Sequence, residues 1–384
     1  MGVRSLELEK MKYDYLIVGA GFAGCVTAER IASQLDKKVM IIDSRGHIGG
    51  NCYDYLDENG ILVHKYGPHA FHTNNKRVWD YLSNFTEWNN YNHLVLALID
   101  GKNIPLPFNI NSIYQLFDFD YANRIVDLLI NTYGAGMKIP ILHLKRTNNE
   151  ELQKLADFIY TKVFLGYNLK QWSLRPEELD YSVSSRVPVF ISRDNRYFQD
   201  RYQGLPLKGY TVLFEKIINH KNIELLLNTE FKSVMNDIKY DKLIYTGEID
   251  YFFDYIYGDL PYRTQVFDIK TYNQQYYQEI TQLNYPNDYD YIRTTEFKHF
   301  YKQKTNKTSI AFEYSKPCIK EIDEPYYPIP QEKNEQIFQK YKKEAEKLDG
   351  QVFFIGRLAE YKYYNMDQIV GVALQLFEKK ISKS

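Results

Sequence analysis

Three glycines and one acid make the strongest chemical statement in this chain. Gly19-x-Gly21-x-x-Gly24 follows the apolar run Tyr15-Leu-Ile-Val18 and opens a helical stretch, and Asp43 ends a second apolar run, Val39-Met-Ile-Ile42. Glycines so placed allow a tight turn, close approach of backbone to a pyrophosphate and close packing of helix on strand, while the helix N-terminus offers free N–H groups to phosphate oxygens. Asp43 stands about twenty residues past Gly21, the spacing of an acid that accepts hydrogen bonds from ribose hydroxyls. A glycine-rich structural turn is the plain alternative, but the strand before, the helix after and the acid together favour dinucleotide binding. His69 and His72, three apart beyond the turn at Gly67-Pro68, invite a metal. No carboxylate or thiol stands at ligand spacing beside them, so no metal is expected.

The elements that must position these residues follow from pattern. Strand, turn, helix and strand over 13–43 form a βαβ-like unit, and a second glycine turn, Arg45-Gly-His-Ile-Gly49-Gly50-Asn51, follows at once. Flavoproteins of the glutathione-reductase and amine-oxidase type often carry such a turn where FAD runs extended, which moves the expected cofactor from NAD to FAD. Residues 110–182 read as an inserted helical bundle, with apolar residues at three and four spacing in 121–133 and 150–164. Beyond Arg186 come short segments bounded by Pro and Gly, which are loops that present side chains. A helix is expected over 211–220 and a strand over 242–247. Residues 293–300 and 309–314 alternate, with polar 302–307 between them, and read as an antiparallel hairpin. A buried strand at 351–355 stops at Gly356-Arg357, and an amphipathic helix runs over 366–380 with Asn365 as its N-cap.

Composition narrows the class. The 384 residues imply two to three domains, and 44% hydrophobic with 25% charged residues is ordinary for globular chains. Aromatic residues reach 16%, mostly the 36 tyrosines, side chains that suit wet, sugar-sized clefts as well as cores. A net charge of -1 without long runs of one sign argues against nucleic-acid partners. No long apolar window and no signal-type start are present, and Cys25, Cys52 and Cys318 suggest no disulfide framework, so a cytoplasmic protein without a membrane span is expected. The first ten residues are read as a stretch ahead of Met11.

Taken together the motifs resemble those of the UDP-galactopyranose mutase family across nearly the whole chain. The resemblance rests on the two glycine turns, His64-Lys-Tyr-Gly-Pro-His-Ala-Phe-His-Thr73, Tyr167-Asn-Leu-Lys-Gln-Trp172, Arg186-Val-Pro, Asp194-Asn-Arg-Tyr-Phe198, Arg201-Tyr-Gln-Gly204, Tyr262-Arg263, Glu296-Phe-Lys-His-Phe300, Glu324-Pro-Tyr-Tyr-Pro328 and Gly356-Arg-Leu-Ala-Glu-Tyr-Lys-Tyr-Tyr364. It implies an α/β fold: a Rossmann-like FAD-binding domain (11–76, 205–250 and 348–384), an inserted helical bundle (110–182) and a twisted antiparallel β-sheet domain (77–109, 183–204 and 251–347). It also implies reversible ring contraction of UDP-galactopyranose to UDP-galactofuranose on reduced FAD, through a covalent flavin N5–sugar adduct and without net redox. Such a product serves cell-surface glycans and cell wall polysaccharide biosynthesis. The implied partners are a UDP-sugar and a reductant, NAD(P)H or a reductase, and any self-association is expected to be a homodimer.

The same resemblance assigns residues. Arg186, on a mobile loop, and Arg293 match the guanidinium forks that stabilise the leaving diphosphate, which suits arginine better than lysine. His72 matches a residue near the sugar and completes the implied catalytic set. Tyr197, Tyr314 and Tyr363 match diphosphate-binding tyrosines, Tyr167 the platform under uracil, and Trp172 a neighbour of the loop; Phe164 and Asn365 complete the implied substrate set. Gly19, Gly21, Gly24, Asp43, Arg45, Gly50, Asn51, His69, Arg263, Gly356, Arg357 and Met366 are the implied cofactor contacts. Where the family commonly has Asp-Met after the Tyr-Lys-Tyr-Tyr run, this chain has Asn365-Met366. Asparagine keeps N-capping ability and loses the carboxylate, so local charge beside the diphosphate changes. The alternatives left open are a mutase for UDP-N-acetylgalactosamine or dTDP-fucose, an amine-oxidase-type flavin oxidoreductase, and an inactive binding homologue.

Overall fold

Five short strands from distant parts of the chain lie parallel in one sheet, in the order Ile223–Leu226, Val39–Ile42, Lys12–Val18, Lys239–Tyr245 and Val352–Phe354. A computed structural model provides this description, over residues 12–181 and 185–383. The stretch ahead of Met11 and the expected bundle-to-sheet boundary at 182–183 lie outside the described residues. Helices cover both faces of a parallel sheet, so its inner strands read as unbroken apolar runs, and all of Val39–Ile42 is buried. The helix Phe22–Leu35 packs on one face, and Met366–Leu376, from the far end of the chain, packs against that helix.

A second, seven-stranded sheet has the order Tyr327–Pro328, Tyr262–Tyr272, Thr308–Pro317, Arg293–Glu296, Gln282–Asn284, Val95–Ile99 and Lys102–Leu106. All its pairings are antiparallel except Gln282–Asn284 with Val95–Ile99, so the expected antiparallel sheet is mixed at this one ladder. The two segments are far apart in sequence, and only such a long crossover can bring strands together in parallel. The hairpin at 293–314 exists, with Arg293 opposite Glu313, but its first strand ends at Glu296 and a helical turn, Lys298–Tyr301, follows. The cause is local: Phe297 and Phe300, three apart, both bury inward, and the Lys298 ammonium bonds the Gln275, Thr305 and Lys307 carbonyls. A helix over Glu332–Glu346 has no counterpart in the sequence expectations.

The helical segment comprises Ile110–Leu116, Phe119–Tyr133, Ile141–Leu144 and a longer run from Glu150 to Trp172. Asp118 and Asn149 accept first-turn amides and fix two of the starts. Within the long run, Tyr160–Leu165 widens into a π-helical turn, a feature that often marks a functional wall. The bundle core is continuous with Val95, Ala97 and Ile104 of the second sheet, which fixes bundle and sheet against each other. Among the described residues no helix is long and apolar enough to cross a membrane.

Candidate functional site

Where the bundle, the second sheet and the end of the first sheet meet, they enclose a cavity of about 280 Å³. The widened turn delivers Val163 and Phe164 to its wall, and the helix Gly166–Trp172 adds Tyr167, Asn168, Gln171 and Trp172, which share one face of a 3.6-residue repeat. Gly166 makes this possible: a Cβ there would lie 2.2 Å from the carbonyl oxygen of Pro286, so only glycine lets the helix lie this close to the turn after Gln282–Asn284.

Among the described residues, three arginines reach the cavity and no carboxylate lines it. Arg293 begins its strand, and its Nε lies 2.8 Å from Oε2 of Glu313, the residue opposite it in the ladder. Burial pushes the Glu313 carboxyl up and Arg293 pulls it back, while Arg293 itself is held cationic by Glu313 against the cost of burial. Arg186 donates from Nη2 to Asn365 Oδ1 at 2.7 Å and lies 4.0 Å over the Tyr363 ring. Arg357 donates to the carbonyls of Tyr364 (2.9 Å) and Tyr326 (3.2 Å) and faces the Tyr327 ring at 5.0 Å. Tyr363 stacks on Tyr327 at 5.1 Å, with Trp172 beside both rings. Burial opposes ionisation of the Tyr363 phenol, but Arg186 and Arg357 outweigh it and leave that phenol more acidic than usual. The arrangement is a cationic, aromatic-walled pocket suited to a dianion joined to a planar ring. A larger outer groove of about 1370 Å³ shares Arg186, Tyr363 and Asn365 with the cavity, but Glu178, Asp180, Glu332, Glu335 and Glu378 line its remainder. Such walls repel a phosphate, so the cavity is the better anion site.

Of the expected substrate and catalytic residues, Phe164, Tyr167, Trp172, Arg186, Tyr197, Arg293, Tyr363, Asn365 and His72 line the cavity. Tyr314 does not. Its neighbour Glu313 turns inward to Arg293, and strand alternation sends Tyr314 to the other face, beside Tyr291 at 6.1 Å. Tyr327, from Glu324-Pro-Tyr-Tyr-Pro328, is a tyrosine of the cavity that was not singled out. Asn365 holds the N-cap position of Met366–Leu376, but its Oδ1 is used by Arg186, and its own N–H goes to Gln368 Oε1 at 2.9 Å.

The cofactor residues divide in two. Gly19 has φ +104°, and a Cβ on it would meet Thr246 Oγ1 at 2.0 Å; one on Gly24 would meet the Gly19 carbonyl at 1.9 Å. No side chain caps the helix that begins after Gly21, which leaves its first-turn amides open. Asp43 accepts the Ala20 and Arg45 amides at 2.8 and 2.9 Å and so ties the two turns together. The turns approach closely at Gly21 and Gly50, where a Cβ on Gly50 would lie 3.2 Å from Gly21 Cα. Arg45 donates to Asn51 Oδ1 at 2.9 Å, lies over Tyr66 and pairs with Glu324. His69, Arg357 and Met366 stand at the cavity itself, and Gly356 precedes Arg357 with φ +109°. Burial holds His69 neutral, with its pKa near 3, and its Nδ1 lies 2.8 Å from the Gly67 carbonyl. Arg263 is not in the lining. Its guanidinium holds Ser173 Oγ (3.0 Å), the Lys170 carbonyl (3.3 Å) and Ser315 Oγ (3.2 Å), clamping the end of the Gly166–Trp172 helix to the sheet.

Sequence reasoning passed over a polar wall. Tyr91, His93, Gln282 and Asn284 form a hydrogen-bonded chain, with His93 Nδ1 3.0 Å from Tyr91 Oη, His93 Nε2 3.2 Å from Gln282 Oε1, and Gln282 Nε2 3.0 Å from Asn284 Oδ1. Gln171 is 3% exposed, and neither atom of its carboxamide has a partner. Polar residues at alternate positions of a short strand, as in Gln282-Leu-Asn284, are the one sequence signal that could have found part of this wall.

A family model described as UDP-galactopyranose mutase matches residues 162–363, and one described as NAD(P)-binding Rossmann-like domain matches residues 17–85. The chain belongs to the UDP-galactopyranose mutase family. Members of this family are isomerases. The chain is 38% identical over 370 residues to a probable UDP-galactopyranose mutase of Klebsiella pneumoniae, covering 96% of this chain and 94% of that protein. It is 36% identical to a dTDP-fucopyranose mutase of Escherichia coli, covering 94% and 96%. In fold it is similar to a crystal structure of reduced UDP-galactopyranose mutase, with a TM-score of 0.70 at 18% identity over 97% of this chain and 96% of that one. A putrescine oxidase is also similar in fold, at a TM-score of 0.57 and 10% identity over 97% and 100%.

Proposed function

We propose that this chain interconverts UDP-galactopyranose and UDP-galactofuranose on a bound FAD that works in its reduced state. The observation that carries the reading is the cavity that, among the described residues, three arginines and no carboxylate line. A departing nucleoside diphosphate brings concentrated negative charge, and preformed guanidinium groups in a partly desolvated pocket stabilise it without reorganising. The cationic amine of an amine-oxidase-type substrate would be repelled there, which disfavours that alternative.

The residues fit FAD. The open helix start after Gly21, the close glycine turns and the lone pairs left on Asp43 suit a dinucleotide running from Gly19, Gly21 and Gly24 past Arg45, Gly50 and Asn51. Gly356, Arg357, His69 and Met366 would border its ring, with Arg357 offering positive charge and a neutral His69 offering none. When bound and reduced, the flavin supplies a nucleophilic ring nitrogen for the anomeric carbon. The chain's own residues do the rest. Arg186 and Arg293 take the diphosphate, Tyr197 and Tyr363 donate hydroxyls to it, and Tyr167 with Phe164 receives the base. Trp172 and Asn365 hold the Arg186 loop against Tyr363, which excludes water from the sugar. Arg263 acts at one remove, through the helix it clamps.

The reaction has no net redox, draws its electrons once from NAD(P)H or a reductase, and supplies galactofuranose for cell-surface glycans from the cytoplasm. The dTDP-fucopyranose mutase relative favours testing a second sugar. Dithionite-reduced protein loaded with FAD is expected to convert UDP-galactofuranose to UDP-galactopyranose, followed by chromatography, and to do so faster than it converts dTDP-fucopyranose. Equal inactivity on both, with FAD bound, would refute the reading.

A further inference from the structure

Ring contraction changes which hydroxyl oxygen of the sugar is bonded to the anomeric carbon. One oxygen sheds its proton as its bond to that carbon forms, and the other gains a proton as its bond breaks. The proton count balances, so a single group that gives one proton and then takes one back serves both halves of the exchange. Such a group must turn one nitrogen to the cavity and hold its other nitrogen fixed.

His72 meets the cavity, and its surroundings decide its tautomer. Its Nδ1 lies 2.9 Å from Oδ2 of Asp200, and its ring stacks on Phe198 at 3.5 Å and 11°. Hydrogen bonding with His72 is the chief influence holding the Asp200 carboxyl below the usual carboxylate range. A carboxylate can only accept, so Nδ1 carries the hydrogen and Nε2 is the nitrogen left for exchange. The second carboxylate oxygen accepts Asn74 Nδ2 at 2.7 Å, and Asn74 in turn accepts the Arg201 amide at 2.9 Å. Gln203, opposite His72 in the ladder, donates to the Phe198 and Asp200 carbonyls at 3.1 and 2.9 Å. The loop carrying both Asp200 and Phe198 is therefore stapled to the strand carrying His72. The other ionisable groups nearby are His93, on the cavity wall, and Lys138, which acts on Asp200 from a distance.

We propose that Asp200 is a positioning residue that fixes His72 with Nε2 toward the sugar, so that His72 carries the proton exchanged between the two ring oxygens. This rests on the proposed mutase function. As the first ring opens, the departing oxygen keeps the electron pair of its bond to the anomeric carbon and takes the proton from Nε2. As the other ring closes, the second hydroxyl oxygen bonds that carbon through its own electron pair and its proton passes back to Nε2. Asp200 stabilises the imidazolium at both ends of the exchange.

The test uses the FAD-loaded, reduced full chain. Asp200→Asn, able to donate to Nδ1 and so reverse the tautomer, is expected to lower kcat about a hundredfold or more. KM and UDP binding should stay within about threefold, and Asp200→Glu should recover part of the loss. Nitrogen-15 spectra of the histidine rings, with His72 assigned through His72→Gln, should show hydrogen on Nδ1 in the wild type and its loss in Asp200→Asn. Turnover within threefold of wild type, a change in KM alone, or wild-type His72 without hydrogen on Nδ1 would each overturn the proposal. Should Asp200→Asn fail to fold, Asp200→Glu and the wild-type spectra still decide. If the wild type converts no sugar, the mutase reading falls separately, and the spectra still test the tautomer.

Discussion

Arg293 and Glu313 face each other across two strands, and each makes the other's burial tolerable. Removing one partner of such a pair leaves an uncompensated charge, at a cost of about 3 kcal/mol or more. Arg293→Ala should therefore destabilise the fold and slow turnover about a hundredfold or more. The pH dependence has a definite sign. Burial raises the Glu313 carboxyl above its unfolded value, so its contribution favours the folded state at low pH and is lost as pH rises through the folded pKa. Without Arg293 this loss deepens. Melting curves should show a larger Tm deficit for Arg293→Ala at pH 8 than at pH 5; an equal deficit would show that Glu313 is not left charged. The pairing also explains one limit of sequence reading. Arg293 was legible as a guanidinium fork, but the face taken by Tyr314 depends on Glu313 pointing inward, and only the ladder register decides that. Tyr326 and Tyr327 both line the cavity and lay in a motif already noted, yet nothing in its spacing marks which of its residues face inward.

At the scale of elements, the Gly166–Trp172 helix is positioned by what it lacks. In an unhindered helix, glycine to alanine gains about 1 kcal/mol. Here the new Cβ would meet the Pro286 carbonyl at 2.2 Å, and overpacking of this kind costs about 1–3 kcal/mol. Gly166→Ala is expected to lower stability and to weaken UDP binding about tenfold by calorimetry, because Tyr167, Gln171 and Trp172 move with the helix. Unchanged affinity would mean that the helix does not set the base-side wall. Helices and apolar strands were legible from period and breakers, as over 121–133 and 39–42. The strand expected through Phe300 was not, because two phenylalanines three apart suit a buried helical turn as well as a strand. The widened turn at Tyr160–Leu165 and the single parallel ladder of the second sheet left no periodic trace at all.

For the whole molecule, the seam between the two sheets is an aromatic core with a histidine inside it. His64 is fully buried, stacks on Phe300 at 4.8 Å and faces Tyr210, and its Nε2 has no partner. Burial drives its pKa down to about 3. A histidine kept neutral in the fold contributes stability that is present above its unfolded pKa near 6.5 and lost as pH falls toward 3. The stability difference between wild type and His64→Leu should thus shift by about 1.4 kcal/mol per pH unit in favour of leucine below pH 6.5. Urea titrations between pH 7.5 and 5 check this, and a flat difference would place His64 in contact with water. Four strands of the first sheet were individually visible in sequence, and the edge strand Ile223–Leu226 was not. What sequence could not show was the seam, since it joins 62–64 to 297–300 through shape alone.

The most direct measurement is the rate at which dithionite-reduced, FAD-loaded protein converts UDP-galactofuranose, compared with the same protein carrying Arg186→Ala or Arg293→Ala. Conversion by the wild type with a loss of about a hundredfold in each variant is the predicted result. Turnover that survives either replacement undiminished would contradict an arginine-lined diphosphate pocket as the seat of the reaction.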